Sequence, residues 1–535
     1  MKKTNNKKGE YNLHKRMVSV ILLLLVTAFA LSACKRNPNN NSSLNDNTGT
    51  AGNSFSEDAD SSIINSTDCN ADSEISKNAS KFTDSQAASA GKATVDSIFL
   101  SGKPFEDFDK KIYEYSVVLD EMAESPPKVT ALKTNGDGEI KIVQATGVNG
   151  KATVSLNGII YSIHFKQKDI SNMLNNSYYK LKVKNKLNIA YFGGSITAGA
   201  GANGKIYSWA YRTTDWFKAN FPNAVIRDNN AAIGVTGTIF GVYRVIEDLK
   251  LESDTDRPDL VFIEFAINDI IDQTKTENSK NYLETIINII YDYVPDADIM
   301  VLFTTDQSQM AKDFEMRRAH KAVADAYKLP TVAIGELLAN DLLAEGGGTY
   351  TQKLWDKYFA DAVHPSRNGH AKYAGYITRY INLAFSTKSS VPNGITNSYR
   401  SASLFGKLLQ NPHTVTLKGQ TAPAGFTIDQ AGAIISNGGT NKSFTVNFKG
   451  TDLEIWIRGE ESGGVLETVV DGNPIGNVEL YSSPNERIKT VVRNLSDDTH
   501  SVTFTLKNSG KGDYMKIERF CIAGSDLYSK IKLIY

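Results

Sequence analysis

Strand-like and helix-like segments alternate between residues 180 and 386, and this alternation limits the possible fold more than any other feature of the chain. Apolar runs such as NIAYF, DLVFIEFAI and DIMVLF are separated by amphipathic segments such as TGTIFGVYRVIEDLK and KNYLETIINIIYDYV. The pattern predicts a parallel sheet covered by helices on both faces. Functional residues of such sheets lie beyond the carboxyl ends of the strands. Ser195, Asn229 and Asn268 directly follow or end strand-like runs, so we expect them at that edge.

The preceding segment, residues 92–170, has a different pattern. Short alternating runs such as KIYEYSVVL and KATVSL are separated by the turn signals NGDG, VNG and LNG. Period-two alternation with regular turns predicts a small β-sandwich. The segment resembles the Ig-like or cadherin-like modules of bacterial surface proteins. The favoured interpretation is a plain spacer that positions the next domain.

Alternation of the same kind returns in residues 400–535, where Asp471 and Gly472 are a typical hairpin turn. We predict a β-sandwich or jelly roll for this segment. Two interpretations are open for Trp456, Tyr481 and Tyr514. They could form a sugar-stacking face of a carbohydrate-binding domain, or they could pack in the core, as aromatic residues of strands more often do.

The N-terminus has the features of an export signal. Six basic residues within positions 2–16 precede the apolar run MVSVILLLLVTAFALSA, which is short for a membrane span. The run ends in LSAC, which resembles the lipobox of bacterial lipoproteins and implies a signal peptide at 1–33 with Cys34 acylated as the first mature residue. The alternative is an ordinary signal cleaved after Ala30. Small and polar residues dominate 34–91, which we predict to be a disordered stalk.

Charge and cysteine content exclude several partners. The formal charge is zero, but without the predicted signal peptide the chain has 53 basic and 58 acidic residues, a net charge of −5. No basic stripe is left to neutralise phosphates, so nucleic acid is not an expected partner. The cysteines are Cys34, Cys69 and Cys521, and no Cys/His cluster has zinc spacing. We therefore expect neither a structural disulfide nor a metal site.

Four short blocks in the α/β region carry the candidate chemistry. In chain order they are GGSIT with Ser195, NNAAIGVTG with Gly234, FAIND with Asn268 and Asp269, and DAVHPS with Asp361 and His364. Together they resemble the SGNH, or GDSL-type, hydrolase superfamily, and the resemblance covers residues 180–386. Two positions differ from the family pattern. GGSIT replaces GDSL, and Ala266 stands where the family usually has glycine, a change that can narrow the cleft without removing a catalytic group.

A serine hydroxyl is a poor nucleophile until a base takes its proton, and histidine is the side chain suited to that task near neutral pH. Of the histidines in this domain, His320 and His370 fall within helical patterns. His364 lies in a loop-like segment, three residues after Asp361, whose carboxylate can orient the imidazole. We therefore predict Ser195 as the nucleophile, His364 as the base and Asp361 as its partner.

The family resemblance also implies an oxyanion hole made by the backbone N–H groups of Ser195 and Gly234 and the side-chain amide of Asn268. Gly234 has no Cβ, so its backbone can approach a ligand closely. The alternatives are a simple strand-to-helix turn at Gly234 and a helix cap at Asn268. Glu264, in FIEFAIND, is predicted to be a partly buried acid that supports the site without taking part in the chemistry.

The resemblance implies a three-layer αβα, flavodoxin-like domain that hydrolyses esters through an acyl-enzyme on Ser195, with neither metal nor cofactor. The flanking β-modules and the predicted anchor favour removal of O-acetyl groups from polysaccharide or oligosaccharide. They also favour an extracytoplasmic protein held at the cell membrane by its lipid. Two alternatives remain: a surface carbohydrate-binding lipoprotein with an inert hydrolase-like domain, and an acyltransferase or lipase that uses the same triad.

Overall fold

A computed structural model describes residues 92–310, 314–391, 403–436, 438–482, 486–526 and 528–534. The predicted signal peptide, Cys34 and the predicted stalk lie outside these residues. Among the helices in the described ranges, none combines the length and the hydropathy that crossing a bilayer would require. The structure therefore bears on the three segments that follow the predicted stalk.

The first described segment contains two small sheets. Its strands β1–β7 are Val95–Leu100, Lys103–Pro104, Glu114–Leu119, Val129–Lys133, Lys141–Val143, Lys151–Leu156 and Ile159–Gln167. One sheet has the order β2-β1-β4 and the other β3-β7-β6-β5, in which β3 runs parallel to β7. Buried residues of both sheets, including Val95, Val117 and Val154, form one hydrophobic cluster.

A five-stranded parallel sheet forms the centre of the middle domain. Its strands β8–β12 are Lys186–Gly193, Val225–Asn230, Leu260–Glu264, Asp298–Leu302 and Thr331–Val332. The order is β12-β11-β10-β8-β9, and all neighbours are parallel. Every residue of β10 and β11 is buried, as expected for strands covered on both faces. The order reverses between β8 and β10, so the crevice at their carboxyl ends is the expected place for a site.

Helices cover both faces of this sheet. Helices α1–α10 are Asn175–Lys182, Ser195–Ala198, Trp209–Asn220, Thr238–Asp248, Ala266–Ile271, Thr276–Tyr293, Glu315–Ala326, Ile334–Glu345, Gln352–Tyr358 and Arg367–Ser386, with a 3₁₀ turn at Lys205–Tyr207. Trp209 of α3 and Tyr373 of α10 belong to the hydrophobic cluster on one face. Phe240 of α4 and Ile286 of α6 belong to the cluster on the other. The predicted three-layer, flavodoxin-like domain with flanking strand-rich segments is thereby confirmed.

The last segment is again built from two sheets. Strands β13–β23 are His413–Val415, Thr427–Ile428, Ile434–Ser436, Lys442–Gly450, Asp452–Arg458, Val465–Val470, Asn473–Glu479, Glu486–Val492, Asp498–Lys507, Met515–Ala523 and Lys532–Ile534. One sheet has the order β14-β15-β22-β17-β20, with β13 also paired to β22, and the other β19-β18-β21-β16-β23. Asp471 and Gly472 both have positive φ, 49° and 80°, in the turn that joins β18 to β19.

This last segment shares a hydrophobic cluster with the middle domain. Trp456, Cys521 and Ala523 pack in the same cluster as the residues of α4 and α6. The rings of Trp456 and Phe240 meet edge to face with centroids 4.2 Å apart, and Trp456 is only 8% exposed. The sugar-stacking interpretation is therefore wrong for Trp456, whose ring is an anchor between domains. Tyr481 is 38% exposed, with the Lys511 ammonium 3.3 Å from its ring centroid.

A buried carboxylate joins the same two domains. Glu454 of β17 is fully buried and accepts hydrogen bonds from the hydroxyl of Tyr243 in α4 and from Nε of Arg493, the latter at 2.8 Å. Burial raises the pKa of Glu454 to about 7, although the Arg493 guanidinium opposes that shift. The segment that links the domains is also attached, because Glu284 of α6 accepts the backbone N–H of Leu404 at 2.7 Å.

Candidate active site

Ser195 lies at a sharp turn from strand to helix. Strand β8 ends at Gly193, Gly194 is extended, and Ser195 begins α2. Both positions require glycine because neighbouring side chains leave no room for a Cβ. A Cβ at Gly193 would lie 2.4 Å from Oγ1 of Thr197, and one at Gly194 would lie 2.1 Å from Oδ1 of Asn268. The two glycines therefore let the serine turn pack directly against the third sequence block.

His364 and Asp361 lie in the loop between α9 and α10. Nε2 of His364 is 2.8 Å from Oγ of Ser195, and Nδ1 of His364 is 2.8 Å from Oδ2 of Asp361. The loop is closed by a hydrogen bond from the backbone N–H of Ala360 to the carbonyl of His364 and by one from Nε1 of Trp355 to the carbonyl of Asp361. The structure thus brings together the three residues that the sequence predicted as nucleophile, base and partner.

The environment of Asp361 keeps its carboxyl group ionised. Burial favours the neutral form, but hydrogen bonds from the His364 ring and from the backbone N–H groups of His364 and Val363 outweigh it. The pKa of Asp361 is lowered to about 2 as a result. An anionic Asp361 favours the His364 tautomer with its proton on Nδ1, which leaves Nε2 free to accept the Ser195 proton.

Gly234 lies in the loop between β9 and α4, close to the serine. A Cβ at Gly234 would lie 3.7 Å from Cβ of Ser195, so this backbone borders the nucleophile. The next residue, Val235, has φ of 64°, a left-handed conformation that is uncommon for a β-branched side chain. Such strain persists only where surrounding contacts determine the backbone.

Arg244 of α4 supplies those contacts and was not singled out by the sequence analysis. Its guanidinium is 2% exposed and donates hydrogen bonds to the carbonyl of Gly193 at 3.2 Å and to the carbonyl of Ala231. It also reaches Oγ1 of Thr236 at 3.4 Å and pairs with Asp248 at 2.7 Å. Arg244 therefore connects the end of the serine strand to both sides of the Gly234 loop.

Asn268 lies in the first turn of α5 and is 2% exposed. The N-cap of α5 is Phe265, so Asn268 is not a helix cap. Its side chain faces Gly194. A side-chain amide in this position, next to the serine turn, is placed to donate to an oxyanion. Ala266 is 1% exposed and packs in an apolar cluster with Phe314 and Met316.

Glu264 ends β10 beneath the serine helix. Its carboxyl group accepts hydrogen bonds from Oγ1 of Thr197 and from Oγ1 of Thr304, both at 2.8 Å. It is 1% exposed, more deeply buried than the sequence suggested. Burial raises the pKa of Glu264 to about 7 against the effect of these hydrogen bonds. Glu264 holds Thr197 of α2 and does not touch Ser195 Oγ, in agreement with its predicted supporting role.

His370 has a structural position. It is fully buried, with Nε2 2.9 Å from the carbonyl of Ala200 and Nδ1 accepting the backbone N–H of Trp209 at 3.2 Å. Burial lowers the pKa of His370 to about 4, so the ring is neutral at pH 7. It fixes the chain that follows α2, a role that its helical pattern in the sequence does not reveal.

Asn229 lies at the carboxyl end of β9, where the sequence placed it. Its amide donates to the carbonyl of Asp248 at the end of α4, 2.7 Å away, and takes no part in the site. The neighbouring Asn230 instead donates to the carbonyl of Thr197 at 3.0 Å. The sequence indicated the right strand end but not which of two adjacent amides faces the serine helix.

Among the described residues, no group of three or more His, Cys, Asp or Glu side chains could hold a metal ion.

The segment that contains these residues matches a known family. Residues 191–372 match the model of the GDSL-like Lipase/Acylhydrolase family. The match, the strand order and the geometry around Ser195 agree, and the α/β domain belongs to the SGNH, or GDSL-type, hydrolase superfamily. The chain is therefore an ester hydrolase. A comparison with curated proteins gave no match.

Some solved structures resemble a larger part of the chain than the α/β domain alone. Two crystal structures of a two-domain esterase active on acetylated mannans, one co-crystallized with mannopentaose, each cover 66% of this chain at 21% identity with a TM-score of 0.53. The match spans 96% and 97% of those two chains. A catalytic mutant of an acetylxylan esterase from Geobacillus stearothermophilus covers 38% of this chain, with 97% of its own length, 19% identity and a TM-score of 0.31. At these identities the similarity concerns the fold.

Proposed function

We propose that this ester hydrolase removes O-acetyl groups from polysaccharide or oligosaccharide through an acyl-enzyme on Ser195. The observation that carries the proposal is the continuous contact from Asp361 through His364 to Ser195, at 2.8 Å for each step. Beside it lie the backbone of Gly234 and the side-chain amide of Asn268. This is the constellation of nucleophile, base, orienting acid and oxyanion donors that acyl transfer requires.

In the first half-reaction, Nε2 of His364 takes the proton of Ser195 as Oγ forms a bond to the acetyl carbonyl carbon. The carbonyl oxygen becomes an oxyanion, stabilised by the N–H groups of Ser195 and Gly234 and by the amide of Asn268. His364 then gives its proton to the departing sugar oxygen, which leaves an acetyl ester on Ser195. Water attacks that ester in the second half-reaction, with His364 again as base, and acetate is released.

The surroundings of the triad support a short acyl group. Ile267 and Val363, which precede Asn268 and His364, pack with Phe314 and Met316 in one apolar cluster. Phe314 and Met316 are 9% and 6% exposed. This apolar cluster borders Asn268 and His364 through their chain neighbours, whereas a fatty acyl chain would need a long open groove there. This favours an acetylesterase over a lipase with the same triad.

A polar cleft at the C-terminal end of the helix that carries Asn268 supports a carbohydrate as the alcohol part of the substrate. It has a volume of about 350 Å³ and lies between the end of α5, the helix that carries Asn268, and strand β20 of the last segment. Asp272, Gln273, Arg487 and Lys489 are among the residues that line it. Sugar hydroxyl groups can hydrogen-bond to such side chains. The two-domain esterase of similar fold is described as active on acetylated mannans, which supports the same substrate class.

The substrate proposal predicts a dependence on acyl length. Activity on aryl esters should be greatest for acetyl and should fall at least about tenfold by eight acyl carbons, since each exposed methylene lacks a place to be buried. Aryl esters of two to eight acyl carbons measure this directly, and acetylated mannan or xylan should release acetate. Ser195→Ala serves as the control in every assay. Faster cleavage of long-chain esters would move the protein to the lipase class, and transfer of acetyl to an added sugar in preference to water would make it an acyltransferase.

We also propose that the protein is anchored outside the cytoplasm by lipid on Cys34, within the LSAC sequence that follows the apolar run. Cys34→Ala should move the protein from the membrane fraction to the soluble fraction in cell fractionation, because the acyl chains supply the attachment. Cys69→Ala is the matched control and should leave the protein in the membrane fraction. Equal membrane association of both variants would contradict the lipid anchor.

A further inference from the structure

The oxyanion donors of the proposed site come from separate elements of the fold. Ser195 begins α2, Gly234 lies in the loop before α4, and Asn268 lies in α5. Their relative positions must hold to a few tenths of an ångström if all three are to donate to one oxygen. The contacts of Arg244 described above join the first two elements. A separate contact must join Asn268 to the Gly234 loop.

Asp269, the residue after Asn268, makes that contact. It is completely buried, and its carboxylate crosses from α5 to the first turn of α4. Oδ1 accepts the backbone N–H of Thr238 at 2.7 Å, and Oδ2 accepts the hydroxyl of Thr238 at 2.8 Å. The approach depends on Gly237, where a Cβ would lie 2.3 Å from Oδ1 of Asp269.

Two more helices hold the same carboxylate. Oδ2 of Asp269 also accepts the hydroxyl of Ser279 in α6, and Nε2 of His320 in α7 is 3.0 Å away. Nε2 of His320 is in turn 2.8 Å from Oγ of Ser279. All four of these residues, the Asp269 cluster of Thr238, Asp269, Ser279 and His320, are fully buried.

The Asp269 cluster contains a serine, a histidine and an aspartate in contact, but it is not a second catalytic site. No substrate can reach a serine that is 0% exposed. Its chemistry points to a fixed support instead. Four donors, namely the N–H and hydroxyl of Thr238, the hydroxyl of Ser279 and Nε2 of His320, converge on the two oxygens of Asp269. Only a carboxylate has two oxygens that can both accept in this way. A charge-assisted network of this kind fixes the geometry of the helices that carry it.

We propose that Asp269 is a positioning residue that sets the distance between the Asn268 amide and the Gly234 N–H in the oxyanion hole. The proposal rests on the proposed function, since it assigns Asp269 an effect through Asn268. Asp269 touches no substrate. Its contribution is to lock α5 against the start of α4, so that two donors from different elements of the fold meet one developing charge.

The test is a double-mutant cycle on an aryl acetate. Asp269→Asn keeps the size of the side chain but places an amide where four donors converge, so kcat should fall about tenfold to a hundredfold with KM changed less than about threefold. In Asn268→Ala the donor is already absent, and adding Asp269→Asn should lower kcat by less than about threefold more. Full additivity of the two losses would overturn the proposal, since Asp269 would then act independently of Asn268.

Asp298→Asn is the matched control for loss of stability. Asp298 begins β11 at the opposite, amino edge of the sheet and accepts the backbone N–H and hydroxyl of Ser177, at 2.6 and 2.7 Å, much as Asp269 does with Thr238. Asp298→Asn should lower the melting temperature but leave kcat within about twofold of the parent. An equal fall in kcat in both variants would show a general stability effect and would overturn the proposal.

A milder pair of variants keeps the proposal testable if Asp269→Asn does not fold. Thr238→Val removes only the hydroxyl that Oδ2 of Asp269 accepts, and Thr238→Ser retains it. The valine variant should lower kcat several-fold and the serine variant should not, and equal values would overturn the proposal. The Ser195→Ala variant, measured in the same assay, distinguishes failure of the proposed function from failure of the Asp269 inference. If the Ser195→Ala variant keeps its turnover, both the proposed function and this inference are overturned. If Ser195→Ala abolishes turnover but the losses from Asp269→Asn and Asn268→Ala add, only the Asp269 inference is overturned.

Discussion

Replacing Ser195 by alanine is expected to lower kcat on an aryl acetate about ten-thousandfold or more, and His364→Ala is expected to lower it by a similar factor. The two side chains depend on each other, because the Ser195 hydroxyl is an effective nucleophile only while Nε2 of His364 can take its proton. The double variant should therefore be within about threefold of the slower single variant. Steady-state kinetics on purified single and double variants measure all three values.

The chain offers a matched control for the histidine. His164 in the first described segment also pairs with a carboxylate, since its Nε2 is 2.6 Å from Oε2 of Glu114, but this pair lies outside the α/β domain. His164→Ala should leave kcat within about twofold of the parent. Losses that add between Ser195→Ala and His364→Ala would mean that a different base serves the serine.

Asn268→Ala is expected to lower kcat about a hundredfold to a thousandfold with KM changed less than about threefold, because the amide donates mainly to charge that develops in the transition state. Asn268→Asp gives the sharper comparison. It preserves the shape that packs against Gly194 but replaces an N–H donor by an oxygen. Its kcat should be at least as low as that of the alanine variant.

The outcomes of the two Asn268 variants separate binding from catalysis. A rise in KM with unchanged kcat would make Asn268 a substrate-binding group. An aspartate variant with near-parental kcat would show that the position needs volume and not a donor, which would remove Asn268 from the proposed oxyanion hole. Circular dichroism and melting temperature on both variants confirm that the fold is retained.

The parts of the site that depend on neighbouring residues were predictable from the sequence. Asp361 and His364 are three residues apart in a loop, so one carboxylate can reach both the backbone N–H and the ring of the histidine. The turn at Ser195 was likewise marked by two glycines after a buried strand. In each case the chemistry lies within one short block, where spacing determines geometry.

The supporting contacts were not predictable, because they join residues far apart in the chain. A helical pattern indicates that Arg244 is on α4, but not that its guanidinium reaches the carbonyl of Gly193, 51 residues earlier. The same applies to Trp456. A strand pattern of period two distinguishes two faces, but it does not indicate which face meets another domain. Such contacts are fixed by how the elements pack, and no local pattern encodes them.

The cluster shared by the middle and last segments bears on how such a chain can be inherited. Trp456 covers Phe240, and Glu454 is the partner of Tyr243, so the outer face of α4 is completed by another domain. A gene break near residue 400 would separate these partners and leave an aromatic helix face in water. Exchange of the C-terminal module for an unrelated one would need compensating substitutions on α4 in the same event. Recombination and truncation should therefore treat these two domains as a single heritable unit, although the sequence patterns suggest two separable pieces.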